Sequence, residues 1–262
     1  METNASHRRK VRRLVKDFML NSDKDNPWKN EWERYIDILT IDIDDELQWE
    51  PSQEICRRQP IVVEKVLTDP QLIAQAMEYI TYSEKVCCFT GHRAEKLNYD
   101  EDTLYNIKKR LAHAIKQAVI KGYRIFINGG CSGIDIMAGE IVSIIKERAY
   151  EYQLFLVTVV PFRAQAQDFS EEWKARYYEL KRNSDFVAIL SENKHTYCYR
   201  NRNALMVKYS DLCVAVSDGT SGGTTQTIRM ALEKNSKIYV VPCSKADKPR
   251  FHEGGKLLYA GQ

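Results

Sequence analysis

Apolar positions recur along this chain with two different periods. Short continuous runs at 86–90, 124–128, 153–160, 186–190, 212–216 and 237–241 predict strands buried on both faces, most of them closed by glycine or proline. Between them, Leu104, Ile107, Leu111, Ile115 and Ala118 repeat at helical spacing, as do Ile134, Met137, Ala138, Ile141, Val142 and Ile145. Further helices are predicted around 173–180, 203–210 and 226–235. Strands alternating with helices of this length build βαβ units. The span 86–245 is therefore predicted to be an α/β domain with a parallel sheet and helices on both faces, followed by a tail at 246–262.

Residues 1–85 have a different texture and predict a mostly helical segment. Arg8, Arg9, Lys10, Arg12, Arg13 and Lys16 form a basic run with Val11, Leu14, Val15 and Phe18 at helical spacing, read as a solvated amphipathic helix. Asp37, Asp42, Asp44, Asp45, Glu46 and Glu50 reverse the sign without the glycine and terminal glutamate of a calcium loop. Trp28, Trp32, Tyr35 and Ile36 share one helical face and read as core. Asp69-Pro70 marks the start of a helix through Leu72, Ile73, Ala76, Met77 and Ile80.

Composition narrows the function classes. The chain has 262 residues, 44% hydrophobic and 29% charged, enough for one large or two small globular domains. A net charge of +3 is too small to argue for nucleic acid. No run approaches the ~20 apolar residues of a membrane span, and the basic N-terminus lacks the apolar stretch of a signal peptide. The seven cysteines have no C-x-x-C spacing and the five histidines do not cluster, so reduced thiols, a cytoplasmic location and no metal are expected.

On a parallel sheet, ligands bind beyond the carboxyl ends of the strands where the strand order reverses. The chemically unusual residues stand at such ends. Gly91, His92 and Arg93 follow the first predicted strand, and Gly129, Gly130, Ser132, Gly133 and Asp135 follow the second. Asp218, Gly219, Thr220, Ser221, Gly222, Gly223 and Thr224 follow the fifth, and Arg200, Arg202 and Asn203 precede it. Strand, glycine–hydroxyl loop and helix in succession at 212–235 make a phosphate cradle without a Walker lysine, read as a nucleotide seat rather than a phosphoryl-transfer engine. Arginines match phosphate oxygens, and Asp135 suits a ribose or base donor. The competing readings are plain strand–turn–helix connections and Asp135 as a helix cap.

These residues carry a resemblance. The stretch from about Val86 to Cys243, with Thr90-Gly91-His92-Arg93 and the 129–135 loop, resembles the SLOG superfamily of Rossmann-like domains, in particular a small bacterial branch. Tyr199-Arg200-Asn201-Arg202-Asn203 with the Ser221-Gly222-Gly223 loop resembles the DNA-processing protein A group, which binds single-stranded DNA. Arg202 and Met206 followed by Gly222-Gly223-Thr224 resemble the lonely-guy phosphoribohydrolases, which cleave the N-glycosidic bond of nucleoside monophosphates. The resemblance implies a nucleotide-type small-molecule ligand that is sensed. Nucleotide hydrolysis and single-stranded DNA binding are the alternatives, homo-oligomerisation is left open, and no cofactor or membrane is expected. Where the phosphoribohydrolases place glutamates after Gly-Thr, this chain has Gln226 and Thr227.

Overall fold

The computed structural model describes residues 65–149, 152–244, 246–247, 249–253 and 256–259, the last four as backbone only. The basic run, the acidic run and the tryptophan stripe read from the sequence all lie outside the described residues.

One nine-stranded sheet organises the described chain. In chain order the strands are β1 (Val66–Leu67), β2 (Lys85–Gly91), β3 (Tyr123–Asn128), β4 (Phe155–Val160), β5 (Phe186–Ile189), β6 (Leu212–Ser217), β7 (Lys237–Pro242), β8 (Arg250–Glu253) and β9 (Lys256–Tyr259). Their spatial order is β1-β5-β4-β3-β2-β6-β7-β8-β9, parallel through β7, with β8 and β9 returning antiparallel. The helices are α1 (Pro70–Thr81), α2 (Glu101–Ile120), α3 (Ile134–Arg148), α4 (Glu171–Asn183), α5 (Cys198–Lys208) and α6 (Gly223–Glu233). The architecture is Rossmann-like, with helices on both faces as the pattern predicts.

Alternate strand residues explain the two faces. Val86 and Cys88, Ile125 and Ile127, Phe155, Val157 and Val159, Cys213 and Ala215 join Ile73, Met77 and Ile80 of α1, Met206 and Val207 of α5 and Ala231 of α6 in one core. Helices α2, α3 and α4 neighbour one another and pack on the sheet as a second layer. Every residue of β3, β4, β5 and β6 is buried, as strands covered on both faces require. Each such Val, Ile or Phe contributes about 1.5–3 kcal/mol of burial.

The sheet extends past both ends of the 86–245 span expected from sequence. Val66 pairs with Val187, and α1 inserts Ile73, Met77 and Ile80 into the core. Helix α1 starts where Asp69-Pro70 predicts: Asp69 Oδ1 accepts from the Gln71 and Leu72 amides at 2.9 Å. At the other end, β8 and β9 form a hairpin where a tail is expected. A four-residue strand with mixed exposure carries too little periodicity to stand out in sequence.

The order reverses at β2: β3, β4 and β5 lie to one side, β6 and β7 to the other. Gly91 pairs with Val216, so β2 and β6 end level with each other. The crevice beyond those two ends is where this topology places a ligand.

Candidate functional site

Three loops meet at that crevice. After β2 the chain runs through His92 and Arg93 into a short 3-10 turn, Ala94–Lys96. Buried His92 places Nε2 2.9 Å from Asp218 Oδ1 across the crevice, tying the β2 end to the β6 loop. Its carbonyl accepts from the Ile134 amide at 3.1 Å, tying the same segment to the start of α3. Gly133 permits this approach. It has φ +92°, and a Cβ there would fall 2.5 Å from the His92 carbonyl oxygen.

The β3 loop is held from below by Asn128, which is fully buried. Its Oδ1 accepts from the Gly130 amide at 2.9 Å, and its Nδ2 donates to Thr158 Oγ1 at 3.0 Å and the Val157 carbonyl at 3.2 Å. Gln165 adds a second hold: its Nε2 donates to the Gly129 carbonyl at 3.2 Å and to Cys131 Sγ at 3.3 Å.

Arg202 reaches this loop from α5. Its Nη1 donates to Asp135 Oδ2 at 2.7 Å and its Nη2 to Cys131 Sγ at 3.2 Å, and both Arg202 and Asp135 are 5% exposed. The Cys131 amide also donates to Asp135 Oδ2, at 3.4 Å. Burial disfavours the Arg202 charge, but Cys131 and Asp135 outweigh it and push its pKa up. Arg202 and Asp135 are thus brought together, but as a buried internal pair against Gly129. A ligand above the loop would meet neither as a free charge.

The β6 loop is internally bonded. Asp218 Oδ1 accepts from the Thr220 amide at 2.9 Å and hydroxyl at 2.7 Å, and the Thr225 hydroxyl donates to the Thr220 carbonyl at 2.6 Å. Gly219, Ser221, Gly222 and Gly223 are exposed, and Thr224 is buried on the first turn of α6. Helix α6 has no side-chain cap and no acidic residue in its first turn. Helices α2 and α4, by contrast, carry Asp100 and Ser170 caps and acidic first turns. A Cβ on Gly223 would meet nothing within 4 Å. A Cβ on Gly222 would lie 3.9 Å from Lys96 Nζ, so a lysine stands over the open amide turn.

On the rim, the Arg93 guanidinium lies 4.5 Å from the Tyr199 ring centre, and Tyr199 meets Phe162 edge-on at 5.8 Å. Arg200 is exposed on α5 and Asn203 is buried there. Among the described residues no His, Cys, Asp or Glu group could hold a metal ion, and no helix is long and apolar enough to cross a membrane.

A family model described as the YspA SLOG family matches residues 87–245, well over half of the chain. The chain belongs to this SLOG family. The chain is similar to a UPF0398 protein of Staphylococcus epidermidis, 23% identical over 139 residues, covering 51% of this chain and 73% of that protein. A UPF0398 protein of Shouchella clausii is 24% identical over 140 residues, covering 52% and 74%. The prophage-derived protein YoqJ of Bacillus subtilis is 27% identical over 143 residues, covering 49% and 82%. Among solved structures, DNA processing protein A of Streptococcus pneumoniae superposes with TM-score 0.43 at 13% identity, covering 64% of this chain and 54% of that one. This chain thus spans about half of the pneumococcal protein. The Helicobacter pylori counterpart, described for its single-stranded DNA binding mode, gives TM-score 0.44 at 14% identity, covering 69% and 72%.

Several residues of the candidate site escape the sequence reading. Asn128 had a usable signal, since an Asn just before two glycines often bonds the amide two residues on. Lys96 had only its nearness to the Gly-His-Arg motif. Gln165 and Tyr177 had none: Gln165 lies on the connection after β4 and Tyr177 on α4, and only the fold brings them to Gly130.

Proposed function

We propose that this protein binds a nucleotide or nucleotide derivative at the β2/β6 crevice and senses it without cleaving it. The observation that carries this reading is the first turn of α6. Its exposed glycines leave backbone N–H groups open, and Lys96 stands beside them. A lysine next to the positive end of a helix is unfavourable on its own and becomes favourable when an anion lies between. A phosphate suits that position, and the Arg93–Tyr199 surface on the rim suits a planar base.

Sensing is favoured over hydrolysis because the nearby carboxylates are already engaged. Asp135 is paired with Arg202, and Asp218 is held by His92 and Thr220. Thr227, at one of the phosphoribohydrolase glutamate positions, is buried and donates to the Gly223 carbonyl at 2.9 Å. A nucleotide is favoured over single-stranded DNA because Lys96 and Arg93 mark one compact seat and a net charge of only +3 argues little for a phosphate track.

Calorimetry against mono-, di- and cyclic nucleotides tests this. A nucleotide should bind with weak salt dependence, while binding only to a single-stranded oligonucleotide, falling steeply with salt, would reassign the face to DNA.

A further inference from the structure

Cys131 sits in an environment that the nucleotide reading does not use. The described cysteines are all free and buried. Cys87, Cys88 and Cys213 lie within strands of the sheet, whereas Cys131 lies in the β3 loop and its Sγ receives N–H groups from Arg202 and Gln165.

The same surroundings hold polar atoms without hydrogen-bond partners: Ser132 Oγ, Gln165 Oε1, Tyr177 OH and Arg202 Nε. All four side chains are more than nine-tenths buried, with exposures of 2%, 2%, 1% and 5%. Buried polar atoms in native proteins are nearly always paired, so such a group of them points to something the site is built to receive. Two of these side chains, Arg202 and Gln165, already touch the sulfur through another nitrogen. Nε and Nη2 form one edge of the planar guanidinium, with N–H groups directed to the same side. Nη2 is on Sγ, so the idle Nε–H is aimed beside it. Ser132 is the next residue along the loop, and the Gln165 amide already touches Sγ through its nitrogen.

We propose that Cys131 is an oxidation site at which a small hydroperoxide converts the thiol to a sulfenic acid, whose new oxygen is received by Arg202 Nε–H and the Ser132 hydroxyl. The sulfur attacks the distal peroxide oxygen, an S–O bond forms and the O–O bond breaks. Sulfur loses two electrons, the peroxide is reduced, and the thiol proton leaves with the departing oxygen as water or alcohol. Cys131 is 6% exposed, which selects hydrogen peroxide over bulky electrophiles and shields the product from other thiols. The modified atom lies on the loop that carries Gly129 and Gly130 and leads into Asp135 on the first turn of α3, so oxidation acts on the loop after β3.

The test is independent of nucleotide binding. The full chain is exposed to hydrogen peroxide for increasing times, then denatured, alkylated and mapped by peptide mass spectrometry. The Cys131 peptide should gain one oxygen roughly tenfold faster than the peptides of Cys87, Cys88, Cys198, Cys213 and Cys243. Ser132→Ala removes only an unpaired hydroxyl and should melt with the wild type, yet slow the Cys131 reaction severalfold. Gln165→Leu, with its fold checked by the same melt, should slow it as well. A chamber that only holds buried water would leave Cys131 no more reactive than Cys198, and that result overturns the proposal. So does an unchanged rate in folded Ser132→Ala.

Discussion

The guanidinium of Arg202 occupies the volume that any side chain at Gly129 would need: a Cβ there would fall 1.0 Å from Nη1 and 2.6 Å from Asp135 Oδ2. The buried ion pair and the glycine are therefore one device. Gly129→Ala should push the two partners apart and cost on the order of 3–5 kcal/mol, the range for breaking a buried pair. Chemical denaturation checks this, and a loss well under 1 kcal/mol would mean that the arginine relocates freely.

Gly223 and Lys96 separate folding from binding. Because open space surrounds the Gly223 Cβ position, Gly223→Asp should leave the melting temperature nearly unchanged. It should nevertheless abolish nucleotide binding, since a carboxylate then occupies the anion seat. Lys96→Ala should weaken nucleotide binding by about 1.5–3 kcal/mol while leaving any affinity for the matching nucleoside intact. Equal losses for both, measured by calorimetry, would take Lys96 off the phosphate.

Positions 226 and 227 respond differently to a glutamate. Gln226 is exposed near the start of α6, so Gln226→Glu should be neutral or stabilise the helix by up to about 1 kcal/mol. Thr227 is 1% exposed, so Thr227→Glu should lose several kcal/mol through burial of an unpaired charge. Thermal melts compare them. In the same preparations the wild type should release little free base from nucleoside monophosphates, and robust release would overturn the sensing assignment.

Asp218 gives a pH signature. Partial burial opposes its charge, but the Thr220 hydroxyl and amide together with His92 outweigh that and hold its pKa below the ordinary carboxylate value. A depressed carboxylate contributes stability that is present above about pH 4 and lost as pH falls through the folded value. Asp218 is 34% exposed, so the contribution is small and weakened by salt. Between about pH 5 and pH 3 the wild type should lose slightly more stability than Asp218→Asn. Parallel curves would show that the loop bonds do not favour the ionised form.

What the sequence determined by itself was local. Continuous apolar runs against helical spacing separate the strands from the helices because burial on two faces and burial on one face leave different periodicities. The Gly133 turn is legible because few other residues tolerate its φ, and the Gly222-Gly223 helix start because glycines leave the amides open. The tertiary structure decided which charges face solvent. Arg202 and Lys96 are both basic residues beside glycine loops, and only packing shows that Arg202 is consumed by Asp135 while Lys96 stands over the α6 amides. Sequence distance hides this: Asp135 and Arg202 are 67 residues apart, and Gln165 reaches Cys131 across 34. Pairings across such separations depend on which loops the sheet order brings together, and strand order carries no local signal in the chain.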